Sequence, residues 1–180
     1  MKILDAIGFS MNRKRNILDG LEPKGLYIAN HYRKGRLIEK YPIPNLVTSE
    51  GKNKIWDVMF HDATQIAASS WFMGLISAAS YSAIAVANTM ASHGTWLEFT
   101  DYTQSTRPAW GPGASSGQII TNASPCTFDF DDTGTLKGIF IVSNSTKAGT
   151  TGVLWSVGLF ASDVDVVDED QIKLTYSAAL

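Results

Sequence analysis

The sequence predicts a mainly-β chain: an antiparallel β-sandwich of the jelly-roll kind, with an N-terminal arm, a β-hairpin and one or two short helices. Three observations predict it. From Ser69 onward the apolar residues fall into strand-sized runs separated by turn signals. The 180 residues include 15 glycines and many Ser, Thr and Asn residues, which suit turns and strands. At 44% hydrophobic and 11% aromatic residues, with 18% charged, the chain can build one sizeable core. No fixed-period repeat is visible, which excludes solenoids and propellers. Seven or eight short strands need their edges protected, and a sandwich does this.

The elements follow in order. Ile3, Leu4, Ile7 and Met11 stand at helical spacing, ahead of the basic run Arg13-Lys14-Arg15 and a joint at Gly20, Pro23 and Gly25. Residues 1–25 are therefore an arm suited to docking on a partner. Residues 26–45 are a β-hairpin extension, with Leu26-Tyr27-Ile28 turning through Arg33-Lys34-Gly35-Arg36 into Leu37-Ile38. Pro42 and Pro44 cannot donate to a ladder and are expected to end the pairing. Residues 46–180 form the sandwich domain. Its helix is capped by Thr48 or Ser49, has Glu50 in the first turn, and carries a stripe of Ile55, Trp56, Met59 and Phe60 expected to lie on a sheet.

Strands are expected near 70–77, 95–99, 117–121, 126–131, 135–143, 152–160 and 171–177. Between the first two, Ile84 to His93 predicts a short helix closed by Gly94. The clearest hairpin joins Phe128-Asp129-Phe130 through Asp131-Asp132-Thr133-Gly134 to Leu136–Val142. Near the end, Ile172, Leu174 and Tyr176 alternate with Lys173 and Thr175, as a strand with one wet face requires.

Net charge is only -2, but it is unevenly placed. Residues 1–45 hold nine basic and four acidic side chains, the remainder six and thirteen. A basic arm on an acidic body suits an acidic protein face or nucleic acid. The single cysteine, Cys126, cannot form an internal disulfide and reads as a small apolar residue. Asp5 interrupts the apolar start, so no signal peptide is read, and no run approaches the roughly 20 apolar residues of a membrane span. Synthesis in the cytoplasm is expected.

The chemical motifs are weak. Gly113-Ala114-Ser115-Ser116-Gly117 matches a nucleophile elbow, but that serine needs a helix after it and a strand is expected instead. Asp129, Asp131 and Gly134 imitate the start of a calcium loop, but its fifth position is Thr133 and its twelfth, where a bidentate Glu must close the site, is Phe140, so a hairpin turn is expected instead. The run Asp163, Asp165, Asp168, Glu169, Asp170 reads as a solvated loop. His31, His61 and His93 lack helical metal-pair spacing. No catalytic residue, cofactor or metal is assigned. Most aromatics are expected in the core, whereas Trp110, within Arg107-Pro108-Ala109-Trp110-Gly111-Pro112-Gly113, is expected as an exposed anchor.

Some strings carry a resemblance. Asn45-Leu46-Val47-Thr48 with Glu50-Gly51 and Asn53, His61 with Thr64-Gln65, and Trp71 with Gly74-Leu75-Ile76 form its first part. Thr89–His93 with Trp96 and Glu98, then Arg107–Trp110, then Lys147, Gly149, Thr151 and Gly152 continue it. Over roughly residues 26–178 the chain resembles small structural proteins of tailed bacteriophages, head proteins of the jelly-roll cement or decoration type. The resemblance implies a virion protein on the capsid exterior, with the major capsid protein and itself (as dimer or trimer) as partners, and neither nucleic acid, membrane nor enzymatic activity. Candidate contact residues are Arg13, Lys14 and Arg15 in the arm, Arg33, Lys34 and Arg36 at the hairpin turn, and Arg107 and Trp110. A tail-fibre or receptor-binding domain, recognising host glycan or protein through loops such as 100–117, is the alternative, and an esterase acting through Ser115 the third.

Overall fold

The computed structural model describes residues 23–179. The amphipathic stretch 2–11 and the run Arg13-Lys14-Arg15 lie outside the described residues. The remainder is the expected mainly-β sandwich, made by one antiparallel sheet curling back on itself. In chain order the strands are β1 (Lys24–Arg33), β2 (Arg36–Val47), β3 (Phe72–Ser77), β4 (Glu98–Phe99), β5 (Ile119–Thr121), β6 (Cys126–Asp129), β7 (Gly134–Val142), β8 (Leu154–Val166) and β9 (Asp170–Ala179). Helix α1 (Ser49–Phe60) follows β2. The spatial order is β4-β3-β7-β8-β2-β1-β9-β5, with β6 also on β9.

Strand β2 makes the fold curl. Its first part pairs with β1 and its last three residues, Asn45–Val47, pair with β8 at Gly158–Ser156. The strand thus leaves one layer and enters the other, and the hairpin is part of the wall rather than an appendage. Pro42 and Pro44 do not end the pairing as expected, since they sit opposite Ile28 and Leu26. Successive residues of a strand turn their N–H groups to opposite edges, so two prolines two apart place both missing donors on the edge away from β1. At the hairpin tip Lys34 (φ 50°) and Gly35 (φ 76°) are both left-handed. That is the two-residue turn whose twist matches its strands.

The expected hairpin between residues 128 and 142 is absent. The Asp131–Gly134 segment does turn the chain, but β6 pairs with β9 whereas β7 pairs with β3 and β8. The turn carries the chain from one layer to the other. The acidic run is a solvated loop only in part: Asp168 and Glu169 lie in the exposed turn before β9, whereas Asp163 and Asp165 lie exposed on β8 and Asp170 opens β9 fully buried.

The layer β3-β7-β8 is buried on both faces, which explains the continuous apolar runs in β3 and β7. Met73, Leu75, Leu136, Ile139 and Ile141 face the sandwich core with Tyr27, Phe128, Ile172, Leu174 and Tyr176. Ile76, Phe140, Val142, Leu154 and Val157 face outward and are covered by Met90 and Trp96. The expected helix 84–93 is therefore replaced by an irregular cover. Asn88 decides this locally, because its Oδ1 takes the Ala85 N–H at 2.8 Å and the Trp96 Nε1–H at 3.3 Å, tying the chain into turns. Gly74 is needed here for close approach: a Cβ on it would lie 2.2 Å from the Phe140 ring that stacks across it.

Candidate interaction surface

Helix α1 is fastened by its first turn. Thr48 caps it, its Oγ1 accepting from Gly51 N–H at 3.0 Å and donating to the Leu154 carbonyl on β8. Glu50 Oε2 accepts the Leu154 N–H at 2.8 Å, and Thr48 N–H donates to Trp155 O at 3.0 Å. Gly51 then presses directly on the strand, since a Cβ there would stand 2.7 Å from Trp155 O. These contacts hold the start of the helix to β8 and leave the rest to project.

The consequence corrects the expected burial of the stripe. Ile55 and Val58 are half-buried, but Trp56, Met59 and Phe60 are 48%, 65% and 76% exposed. Trp56 and Phe60, one turn apart, stack with ring centroids 5.8 Å apart. Large apolar side chains grouped on a capped, well-anchored helix make this a candidate interaction face. Two shallow apolar hollows flank α1 and share Ile55 and Trp155: one of about 260 Å³ beside Met59, Ile66 and Trp71, another of about 290 Å³ beside Pro23, Ile119 and Ala178.

The hairpin tip is the second exposed feature. Arg33, Lys34 and Arg36 lie exposed there as expected, with Leu37 and Ile38 beside them at 49% and 44% exposure. Arg33 is partly committed, since its Nε and Nη2 each donate to Asp170 at 2.8 Å. His31 Nε2 lies 2.8 Å from the same carboxylate and the Val167 N–H donates to it at 3.0 Å. Burial alone would raise the Asp170 pKa, but the hydrogen bonds from Arg33, His31 and Val167 outweigh it and bring the carboxyl down to about 2. Lys34 meets Glu169 at 3.7 Å, an exposed pair that contributes little.

Arg107 and Trp110 are not surface residues. Arg107 is 1% exposed: its Nε and Nη2 donate to the two Glu98 oxygens at 2.8 and 2.7 Å, and Nη1 and Nη2 donate to Asn144 O and Gly149 O at 2.8 and 3.0 Å. Trp110 is 7% exposed, edge-on to Tyr176, with Nε1–H donating to Tyr176 O at 3.3 Å. Their Pro/Gly-flanked segment reads as a free loop but is held to the sheet, because Met73 N–H donates to Pro108 O and Trp110 N–H to Trp71 O. The apolar alternation of the partner strands carries no mark of this stitching.

The weak chemical motifs are dispersed. Ser115 is exposed in a turn leading into β5, so a strand follows it. His31 joins Asp170, His93 stacks on Trp96 with centroids 4.0 Å apart, and His61 ends α1. Cys126 is buried, its Sγ–H donating to Ala109 O at 2.9 Å, and burial pushes its thiol up to about 12. Among the described residues no three His, Cys, Asp or Glu side chains gather where a metal would sit, and no helix is long and apolar enough to cross a membrane.

No protein-family model matches the chain, and no curated protein matches it.

Proposed function

We propose that this protein is a structural component of a tailed-phage particle, a cement or decoration protein that binds the outside of the major capsid lattice and stabilises the head without catalysing a reaction. The observation that carries this reading is the exposed Trp56–Met59–Phe60 face of a helix fixed rigidly by its cap. Aromatic side chains on a rigid support lose little entropy on docking and supply most of the energy of an interface. The hairpin tip, with Lys34, Arg36, Leu37 and Ile38, offers a second contact. Two modest contacts repeated over many copies give avidity. A receptor-binding role through loop 100–117 is less well supported, because Tyr102 and Trp110, which a glycan would stack on, are both buried.

Two measurements check the proposal. Mass spectrometry of purified virions is expected to find the protein at a fixed ratio to the major capsid protein; finding it only in tails removes the reading. The full-length variant Trp56→Ser/Phe60→Ser is expected to keep its β-type circular dichroism and to bind shells lacking the protein at least ~10-fold more weakly, the scale of losing hot-spot residues. Equal binding by that variant would place the contact elsewhere.

A further inference from the structure

We infer that the hairpin-tip end of the sandwich is a self-complementary surface on which two copies of this chain pair about a two-fold axis, the basic tip of each against the acidic turns of the other. Arg36 and Lys40 are exposed at the start of β2, and among the described residues neither is in an ion pair. Asp132 and Asp168 are their exposed acidic counterparts, Asp168 likewise without an ion pair and Asp132 accepting from Thr133 in its own turn. The two patches are contiguous. Lys34 Nζ stands 3.7 Å from Glu169 on the turn before β9, and Glu169 N–H donates at 3.1 Å to the carbonyl of Phe130, the residue before Asp131 and Asp132. One face therefore runs from the basic tip through the turn at Asp168 to the turn at Asp132.

Charge complementarity names the occupant. A partner of one sign would meet like charge over half of this face, which is costly. A two-fold axis instead sets residue i of one copy on residue j of the other and j on i, so both patches are matched at once. Leu37 and Ile38, 49% and 44% exposed beside Arg36, add apolar area to the same contact. A net charge of -2 leaves little overall repulsion to oppose the approach of two copies. Exposed ion pairs are individually weak and screened by salt, so the pairing is weak in dilute solution and is favoured where many copies are held side by side. Strand β2 begins at this tip with Arg36 and ends with Val47, directly before the Thr48 cap of α1, so the pairing surface and the α1 face lie at opposite ends of a 12-residue strand. Pairing here leaves the α1 face uncovered and needs no capsid.

Sedimentation velocity of the full-length protein tests this. At ~0.5 mM protein and ~20 mM salt, dimers are expected, and at ~500 mM salt the association constant is expected to fall at least ~10-fold. The charge-reversed variants Arg36→Glu/Lys40→Glu and Asp132→Lys/Asp168→Lys, each checked for the parent's circular dichroism, are expected to lose self-association to a similar extent. Mixed one to one, they are expected to pair with each other, because the reversed patches match again across the two-fold. Trp56→Ser/Phe60→Ser is expected to pair as the parent does, which separates a failure here from a failure of the capsid reading. A parent that stays monomeric in low salt, dimers that survive high salt or both reversals, or folded reversed variants that do not pair when mixed would each overturn the two-fold pairing.

Discussion

Replacing Arg107 by Met is expected to lower the unfolding free energy by about 3–5 kcal/mol, a large part of the 5–15 kcal/mol available to a domain of ordinary stability. The Arg107 and Glu98 side chains are 0% and 3% exposed, so removing the guanidinium strands a buried carboxylate. It also strands the carbonyls of Asn144 and Gly149, which the same group satisfies. Glu98 in turn accepts the Ala148 N–H at 2.7 Å, so the pair ties β4 to the loop after β7. Arg107→Lys is expected to fail nearly as badly, because one ammonium cannot reproduce a planar fork serving two carboxylate oxygens and two carbonyls. Urea unfolding of Arg107→Met, Arg107→Lys, Glu98→Leu and the double variant Arg107→Met/Glu98→Leu checks this. The double variant should be more stable than the sum of the singles implies, since no lone charge is left. Single variants within about 1 kcal/mol of the parent would show that the pair is not what holds this corner.

Asp170→Asn is the second large change. The Asp170 carboxylate is fully buried and joins three parts of the chain: His31 and Arg33 on β1, the turn at Val167, and β9. Its folded pKa of about 2 is depressed below the ordinary value near 3.9. A depressed carboxylate contributes stability that is fully present above about pH 4 and is lost as pH falls towards 2. Because Arg33 is 42% exposed and its share is screened, the contribution is set at about 2 kcal/mol. Asp170→Asn is therefore expected to be less stable than the parent at neutral pH and to show a flatter stability profile between pH 4 and 2. A parallel acid-unfolding curve for the two proteins would contradict this.

Much of the fold is legible in the sequence because strands announce themselves through local alternation. Ile172, Leu174 and Tyr176 do face the core, while Lys173 and Thr175 are half-exposed. The Lys34-Gly35 turn is likewise a local matter. What is not local is less legible. The Asp131–Gly134 turn marks a reversal but not the strands that pair across it. Pro42 and Pro44 forbid two donors, yet the edge they spoil is decided by the register with β1.

The candidate surface divides in the same way. Arg33, Lys34 and Arg36 are exposed because a tight turn at the end of two long strands must project. Trp110 and Arg107 are withdrawn because long-range partners, Tyr176 and Glu98, receive them. The stripe on α1 is apolar in the sequence, but that it faces solvent is set by Gly51 and Thr48, which fix the helix to β8 by its opposite end. Mean hydropathy near zero, at -0.02, gives no hint of that exposure.

Docking through the exposed face of α1 would cover Trp56, Met59 and Phe60 when the protein meets a capsid shell. Hydrogen–deuterium exchange on the full-length protein, free and bound to capsid shells, tests it most directly. Slowed exchange in α1 and at the hairpin tip is expected on binding. Unchanged exchange in α1, with protection at loop 100–117 instead, would contradict it.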